Sequence, residues 1–179
     1  MVASGYNDGH RPIPIQSDPA DSIMQAADAL SLDRISLGVG ATSKKRVLEI
    51  SSQLLSGGET GLEQREVFEA LVAREKLGGT GIGWGVAIPH ARLPGLRQLH
   101  AAFIALSEPV GFDAIDGKPV DLVFAMAVPE DATDEHLQLL SSLARMFGLP
   151  SFREALRKHN SAEPILQLFS QQDAYQATG

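Results

Sequence analysis

The spacing of apolar residues predicts two helices in the first half of the chain. In the run KKRVLEISSQLL, the apolar positions recur at helical spacing, Thr42 or Ser43 can cap the start, and Gly57-Gly58 end the run. A second helix is predicted from about Leu62 to Leu77, where Gly78-Gly79 follow. We therefore expect two consecutive helices, each closed by a glycine pair.

Strands and then further helices are predicted downstream. The strand candidates are Val86–Ile88, Leu99–Leu106 and Pro119–Pro129, and the last is apolar almost throughout, as in a strand buried on both faces. The helix candidates run from Asp134 to Phe147 with Thr133 as the cap, from Pro150 to Lys158, and from Ser161 to Gln171. This order predicts an α/β fold, a single domain with a mixed central β-sheet flanked by helices on both faces.

The first residues differ in character from the rest. The first twenty hold three prolines, two glycines and few large apolar residues, so we expect residues 1–26 to form a flexible N-terminal extension and residues 27–179 to form the domain. No basic segment precedes an apolar core there, and no apolar run approaches the roughly 20 residues of a membrane-spanning helix. We expect no secretory signal, no membrane insertion and a cytoplasmic location.

Composition removes several classes of function. The chain has 179 residues and a formal net charge of −7, which argues against broad nucleic-acid binding and against binding to an anionic membrane surface. It contains no cysteine, which excludes disulfides, thiolate catalysis and cysteine-based metal sites. The absence of cysteine is compatible with a reducing cytoplasm.

The stretch GGTGIGWGVAIPHAR, Gly78 to Arg92, fits neither common nucleotide-binding loop. A phosphate-binding loop would need Lys and Ser or Thr after its last glycine, and a dinucleotide fingerprint would need glycine at Trp84. Both motifs also precede a helix, whereas this one precedes a predicted strand. Glycine permits positive φ and close backbone approach, and we expect Gly79, Gly81 and Gly83 to matter most.

Three residues in and around this stretch are candidates for chemistry. Pro89 stiffens the approach to His90, which we place at the end of the strand, and a histidine near neutral pH is a natural nitrogen nucleophile. Arg74 offers a guanidinium suited to phosphate oxygens, and His136 lies in the first turn of a predicted helix. The alternatives are a surface histidine at 90, a favourable helix-terminal charge at 74 and a structural histidine at 136.

At this point the chain resembles a known family. The run REKLGGTGIGWGVAIPHARLPGL closely resembles the active-site signature of phosphotransferase-system EIIA domains of the fructose/mannitol class. The resemblance continues through FDAIDGKPVDLVFAMAVPE and EHLQLLSSLARMF, and SKKRVLEISSQLL is similar to the nitrogen-regulatory branch, EIIA-Ntr. Together these blocks cover roughly residues 30–169 in family order.

The resemblance implies roles for the candidate residues. His90 occupies the position of the phosphorylated histidine, Arg74 that of the arginine that steadies the phosphoryl group, and His136 that of the second active-site histidine. It implies an HPr-like phosphocarrier as donor, regulatory proteins as targets, and a mixed sheet flanked by helices. Amides in a nest formed by Thr80, Gly81 and Ile82 would bind the phosphoryl oxygens. We expect no metal and no cofactor, because the phosphoramidate is already activated.

Three features depart from the common family pattern. The N-terminal extension is longer than the fold requires, and Ala91-Arg92 replaces a frequent Gly-Lys while keeping the charge. Trp84 fills a position where relatives vary, as either a docking anchor or a residue packed on the domain. We interpret Asp113 and Asp116, in FDAIDG, as turn residues and not as a metal site with Asp121.

Other functions stay open on the sequence alone. Within the same family, a sugar-specific EIIA component that passes phosphate to an EIIB domain is the main alternative. We favour the regulatory branch because no EIIB segment or membrane segment accompanies the domain in this sequence. Outside it, the fold could serve as a non-phosphorylated interaction module, or His90 could be the nucleophile of a metal-independent phosphohydrolase.

Overall fold

The described residues form one mixed β-sheet with helices packed on both of its faces. The structure is a computed structural model, and it describes residues 24–132 and 134–178. The helices are α1 (Ala26–Ala29), α2 (Lys44–Leu55), α3 (Gln64–Leu77), α4 (Asp134–Gly148), α5 (Pro150–Lys158) and α6 (Ala162–Thr178). The strands are β1 (Ile35–Val39), β2 (Gly81–Gly83), β3 (Val86–Ala87), β4 (His90–Leu93), β5 (His100–Val110) and β6 (Val120–Pro129).

The sheet is built around the long antiparallel pair β5 and β6. Strand β1 runs parallel to β5, while β3 and β4 both run parallel to β6 on its other side, and β2 pairs antiparallel with β3. The predicted mixed α/β architecture is therefore confirmed. The chain returns to β6 twice within eight residues because β3 and β4 are separated only by Ile88 and Pro89.

Alternate residues of the central strands feed two separate hydrophobic cores. Phe103 faces Phe124 across the β5–β6 pair, and both join a cluster with residues of α1, α4, α5 and α6. Their neighbours Ile104 and Val123 are also partners, and both join a second cluster with residues of α2 and α3. Burial on both faces follows from the period-2 geometry of a strand, so the apolar run of β6 belongs at the sheet centre.

Several predicted boundaries hold to within a residue, and others differ, among them the end of β5, which continues to Val110 instead of ending at Leu106. Helix α2 begins after Ser43, whose hydroxyl accepts a hydrogen bond from the Arg46 amide at 3.2 Å. Helix α3 begins at Gln64 rather than Leu62, and α6 continues to Thr178. The predicted strand at Val86–Ile88 ends at Ala87, so His90 begins β4 instead of ending the preceding strand.

Two predictions concern residues that the structure does not describe. The proposed cap at Thr133 lies outside the described residues, as do residues 1–23 of the proposed extension. The first described helix starts at Ala26, whose amide donates to Asp173 Oδ1 at 3.2 Å, while the Ala27 amide donates to Oδ2 at 2.8 Å. The boundary between residues 26 and 27 stays a prediction. In the described part of the chain, no helix combines the length and the apolar character needed to cross a membrane.

Candidate active site

His90 lies at the start of β4 with its ring held in one tautomer. Its Nδ1 is 2.8 Å from the carbonyl oxygen of Ile88, and only 9% of the residue is exposed. Because a carbonyl can only accept, Nδ1 must carry the proton and donate it. The lone pair of the neutral ring is then on Nε2, which is the atom available as a nucleophile.

The backbone on either side of His90 is tied to its neighbours. The Ile88 amide donates to the Thr80 carbonyl at 2.9 Å, and the Met126 amide donates to the Pro89 carbonyl at 2.9 Å. Pro89 has no amide proton, so the strand pairing is interrupted where the chain moves from β3 to β4. The Ile88 carbonyl is left pointing to the His90 ring, which fixes the tautomer.

His136 lies against His90. It is in the first turn of α4, and the two ring centroids are 5.0 Å apart with an edge-on angle of 78°. The residue is only 5% exposed, and neither ring nitrogen has a hydrogen-bond partner among the described residues. Buried polar groups are nearly always paired, so two unpaired nitrogens beside a nucleophile point to a site that binds a polar group.

The surroundings of both histidines lower their pKa values and so favour the neutral rings. Burial lowers the pKa of His136 to about 4, and Arg92, Arg74 and, when it is protonated, His90 act in the same direction. Burial also lowers the pKa of His90, and Arg74 and Arg92 act in the same direction, against the Ile88 hydrogen bond and the Glu75 carboxylate. A neutral His90 is the nucleophilic form, so the surroundings favour the reactive state.

Arg74 lies in the last turn of α3 and uses one of its donors locally. Its Nη1 donates to the Gly78 carbonyl at 2.9 Å, where the helix ends. This contact fits the helix-terminal interpretation of Arg74. The other N–H groups make no hydrogen bond to a described residue, and the charge acts on both histidines. The same side chain is thus available to bind a phosphoryl oxygen.

Arg92 is a site residue that the sequence analysis missed. It lies two positions after His90 in β4, so the two side chains leave the strand on the same side. Its charge lowers the pKa of both His90 and His136. The signal in the sequence was a positive charge two positions after the candidate nucleophile, which the sequence analysis noted only as a retained charge in Ala91-Arg92.

The segment Thr80–Ile82 is held by a residue that the sequence did not single out. The Thr80 amide donates to Glu75 Oε1 at 3.1 Å, and the Thr80 hydroxyl donates to Glu75 Oε2 at 2.5 Å. Gly81 and Ile82 continue into β2. The proposed phosphate-binding role of these three residues stays a prediction, and Thr80 would have to give up hydrogen bonds to Glu75 to fulfil it.

Close packing or a positive φ explains three of the five glycines in the stretch. A Cβ on Gly81 would lie 2.9 Å from both Cα and Cβ of Ala114, and Gly83 has φ +97°. Gly85 has φ +78°, and a Cβ there would lie 2.7 Å from Arg157 Nη2 and from Asp121 Oδ1. The expected ranking is therefore wrong in omitting Gly85, which is more tightly constrained than Gly79.

Trp84 is fixed by its backbone while its ring stays half exposed. Its amide donates to Asp116 Oδ2 at 3.0 Å, and its carbonyl accepts from Arg157 Nη2 at 2.9 Å. The guanidinium of Arg153 lies 5.3 Å from the ring centroid, and 50% of the residue is exposed. The ring therefore both contacts the domain and presents a surface, so the two interpretations are compatible.

The three nearby carboxylates have separate partners. Asp113 pairs with Lys44 at 2.8 Å, and Asp121 forms two hydrogen bonds of 2.8 Å with Arg157. Asp116 accepts from the amides of Trp84 and Lys118, as expected of a turn residue. Asp113 and Asp116 therefore hold the loop between β5 and β6, whereas Asp121 links β6 to α5.

A known protein family matches most of this chain. Residues 28–172 match the model of the phosphoenolpyruvate-dependent sugar phosphotransferase system, EIIA 2, family. This range covers more than half of the chain and includes His90, Arg74 and His136. The chain belongs to this family.

Its relatives point to one branch. It is 46% identical over 139 residues to the nitrogen regulatory protein of Pseudomonas aeruginosa, covering 78% of this chain and 90% of that protein. The structure is similar to the nitrogen regulatory protein IIA-Ntr of Neisseria meningitidis, with a TM-score of 0.76, 50% identity, and coverage of 80% and 97%. A fructose-specific EIIA component of Haloferax volcanii is 31% identical over 140 residues, covering 78% and 91%.

Proposed function

We propose that this protein is a phosphocarrier that accepts a phosphoryl group on Nε2 of His90. The donor is the phosphohistidine of an HPr-like carrier protein, and the reaction takes place in the cytoplasm. The proposal is carried by one observation, the 2.8 Å hydrogen bond from Nδ1 to the Ile88 carbonyl, which leaves the Nε2 lone pair free. Membership of a phosphotransferase-system EIIA family supports it.

The step is an exchange of one N–P bond for another. The Nε2 lone pair of His90 forms a bond to phosphorus while the donor's N–P bond breaks, and that electron pair returns to the donor's ring nitrogen. Such transfers have a loose transition state, so positioning and charge stabilisation supply most of the catalysis. His90 keeps its proton on Nδ1, so it needs no base to remove one.

The surrounding groups are suited to the phosphoryl oxygens. Arg74 provides a positive fork, and a ring nitrogen of neutral His136 can donate one hydrogen bond to an oxygen. The unpaired state of both His136 nitrogens supports this role because a bound phosphoryl group would satisfy one of them. The backbone of Thr80, Gly81 and Ile82 is the proposed third side of the site.

We further propose that the phosphorylation state regulates partner proteins in nitrogen metabolism. This rests on the relatives that carry the name nitrogen regulatory protein, the first at 46% identity over 90% of that protein's length. Transfer of phosphate to an EIIB domain in sugar uptake is the second candidate function, favoured by the fructose-specific relative at 31% identity.

Phosphate uptake from a phosphorylated HPr-like carrier tests the first proposal. Wild-type protein should gain one acid-labile phosphate, with the phosphorus bonded to Nε2 by ¹⁵N and ³¹P NMR. His90→Ala should gain none, and His159→Ala, which changes an exposed histidine beyond α5, should behave as wild type. Uptake by His90→Ala at the wild-type level would contradict the proposal.

The two downstream roles need a second measurement. The phosphorylated protein is mixed with a fructose-specific EIIB domain, and loss of its phosphate to that domain at a rate typical of sugar EIIA proteins would support the sugar-specific function. Retention of phosphate, together with a partner whose binding differs between His90→Ala and phosphorylated wild type, would support regulation. Binding that does not depend on phosphorylation would instead support an interaction module.

A further inference from the structure

Glu75 is a buried carboxylate that accepts hydrogen bonds on both of its oxygens. It lies in the last turn of α3 with its side chain 6% exposed. Its Oε1 accepts from Lys44 Nζ at 3.0 Å and from the Thr80 amide at 3.1 Å, and its Oε2 accepts from the Thr80 hydroxyl. An ionised carboxylate is costly to bury unless it is paired and hydrogen-bonded, so these contacts explain why Glu75 is stable there.

Lys44 links this carboxylate to two more segments. It is the first residue of α2, and its Nζ also lies 2.8 Å from Asp113 and 5.2 Å from the ring centroid of Phe112. Lys44 and Glu75 therefore connect the start of α2, the end of α3 and the loop between β5 and β6. The arrangement fixes the position of the chain immediately before β2.

A continuous series of hydrogen bonds runs from Glu75 to the reactive ring. The Thr80 amide donates to Glu75, the Ile88 amide donates to the Thr80 carbonyl at 2.9 Å, and His90 Nδ1 donates to the Ile88 carbonyl at 2.8 Å. Thr80 uses its amide in the first bond and its carbonyl in the second, and Ile88 likewise uses its amide in the second bond and its carbonyl in the third. The direction of the Ile88 carbonyl, and with it the His90 tautomer, depends on where Thr80 is held.

We propose that Glu75 is a positioning residue for His90, which acts through Thr80 and Ile88 to keep the proton on Nδ1 and the lone pair on Nε2. The proposal rests on the proposed phosphocarrier function for its kinetic consequence. Its structural consequence is independent of that function, because the His90 tautomer exists in the unphosphorylated protein. The role of Glu75 and the proposed phosphocarrier function can therefore be tested separately.

A structural role alone makes a different prediction. If Glu75 only stabilised the helix end, removing it would lower the free energy of unfolding and leave the folded His90 ring unchanged. A positioning role requires the folded protein to show both tautomers, because the Ile88 carbonyl is no longer held in line with Nδ1. The ring nitrogens of His90 report this directly, since ¹⁵N chemical shifts distinguish protonated from unprotonated nitrogen.

The first arm of the test is NMR of ¹⁵N-histidine-labelled full-length protein. Glu75→Ala should show a mixture of His90 tautomers, whereas Glu75→Gln should stay close to wild type, because its amide oxygen can still accept from Thr80. Glu69→Gln is the matched control, since Glu69 lies on the same helix, is exposed and pairs with Arg65. Wild-type tautomer in folded Glu75→Ala would overturn the proposal.

The second arm is the rate of phosphate uptake from a phosphorylated HPr-like carrier. Glu75→Ala should lower kcat by about 10- to 100-fold with little change in KM for the carrier, because misplacement of the nucleophile affects the transition state. Glu75→Gln should recover most of the rate, and Glu69→Gln all of it. Equal rates for Glu75→Ala and wild type would overturn the proposal.

Two further results keep the outcomes distinct. If Glu75→Ala does not fold, Glu75→Met replaces it, because this change keeps an unbranched side chain of similar length in the buried position but offers no oxygen to the Thr80 amide. A mixed tautomer in Glu75→Met but not in Glu69→Met supports the proposal, and a wild-type tautomer in folded Glu75→Met overturns it. If wild type takes up no phosphate, the proposed function fails, and the tautomer measurement alone decides the role of Glu75.

Discussion

Two buried polar side chains flank the candidate nucleophile, and they differ in how well they are satisfied. Glu75 has hydrogen-bond or ionic partners on both carboxylate oxygens, whereas in the part of the chain that the structure describes His136 has none on either ring nitrogen. A fully satisfied buried group is rigid and stabilises the fold, while an unsatisfied one weakens it and is free to bind something else. From this comparison we expect the α3 side to hold the site in position and the α4 side to bind the phosphoryl group.

The pH dependence of stability should be the largest sign of this difference. The folded pKa of His136 is about 4, against an ordinary value of 6.5. On acidification the unfolded chain takes up this proton first, so the stabilising contribution is full above pH 6.5 and is lost as the pH falls towards 4. Between pH 7 and pH 4, wild type should lose about 3 kcal/mol more unfolding free energy than His136→Leu.

Urea unfolding at a series of pH values measures this loss. His90 acts in the same direction in both proteins, so the difference between the two curves isolates His136. Parallel curves for wild type and His136→Leu would show that His136 is not buried as a neutral ring.

The phosphate-uptake rate should show the next effect. His136→Leu keeps the volume of the buried ring approximately but removes its donor, so we expect the rate to fall about 100-fold, comparable to the loss of one transition-state hydrogen bond. The free energy of unfolding at pH 7 should stay the same or rise, because an unpaired buried polar group is removed. Uptake within a few-fold of wild type would make His136 a structural residue, as the alternative interpretation holds.

Replacement of Glu75 should destabilise the fold, whereas replacement of His136 should not. Glu75→Ala should lower the free energy of unfolding by about 2 kcal/mol, because it leaves the Thr80 hydroxyl and amide without their acceptor. Glu69→Ala, on the exposed face of the same helix, should change it by less than about 1 kcal/mol. Equal losses in the two variants, measured by urea unfolding at pH 7, would remove the distinction between Glu75 and a surface carboxylate.

Replacement of Arg74 should give the smallest of the four effects predicted for this site. Arg74→Ala should slow phosphate uptake about tenfold, since one charge-assisted contact is worth about 1.5–3 kcal/mol and Arg92 partly compensates. The pKa of His90 should rise, because a positive charge that lowers it is removed. Arg65→Ala, on the same helix, is the control for both the rate and an NMR titration of His90, and it should match wild type.

The helices of this fold follow from local sequence more closely than the strands do. The Ser43 cap and Pro150 define α2 and α5 at the predicted residues, because capping and proline act within one turn. Strand β2, which reads Gly-Ile-Gly, carries no strand pattern and exists because it pairs with β3. Likewise, β1 is short and contains Gly38, and it forms by parallel pairing with β5.

The candidate site likewise contains residues that the sequence predicts and a residue that it does not. His90, Arg74 and His136 were identified from residue type and family resemblance, and the structure brings the two rings together although 46 positions separate them. Glu75 could not be identified, because a glutamate near the end of a charged helix gives no sign of burial. Its burial depends on Lys44, 31 residues earlier, and on the fold that joins α2 to α3.

Trp84 gives this arrangement an optical consequence. It is the single tryptophan of the chain. Fluorescence excited at the long-wavelength edge of the protein absorption band therefore comes from one indole ring at one known position. Its backbone is anchored while half of its surface meets solvent, so its emission wavelength will shift with whatever covers that surface. We therefore expect the docking of a carrier or target protein on the loop leading to His90 to change the Trp84 fluorescence, so that binding can be followed without a label.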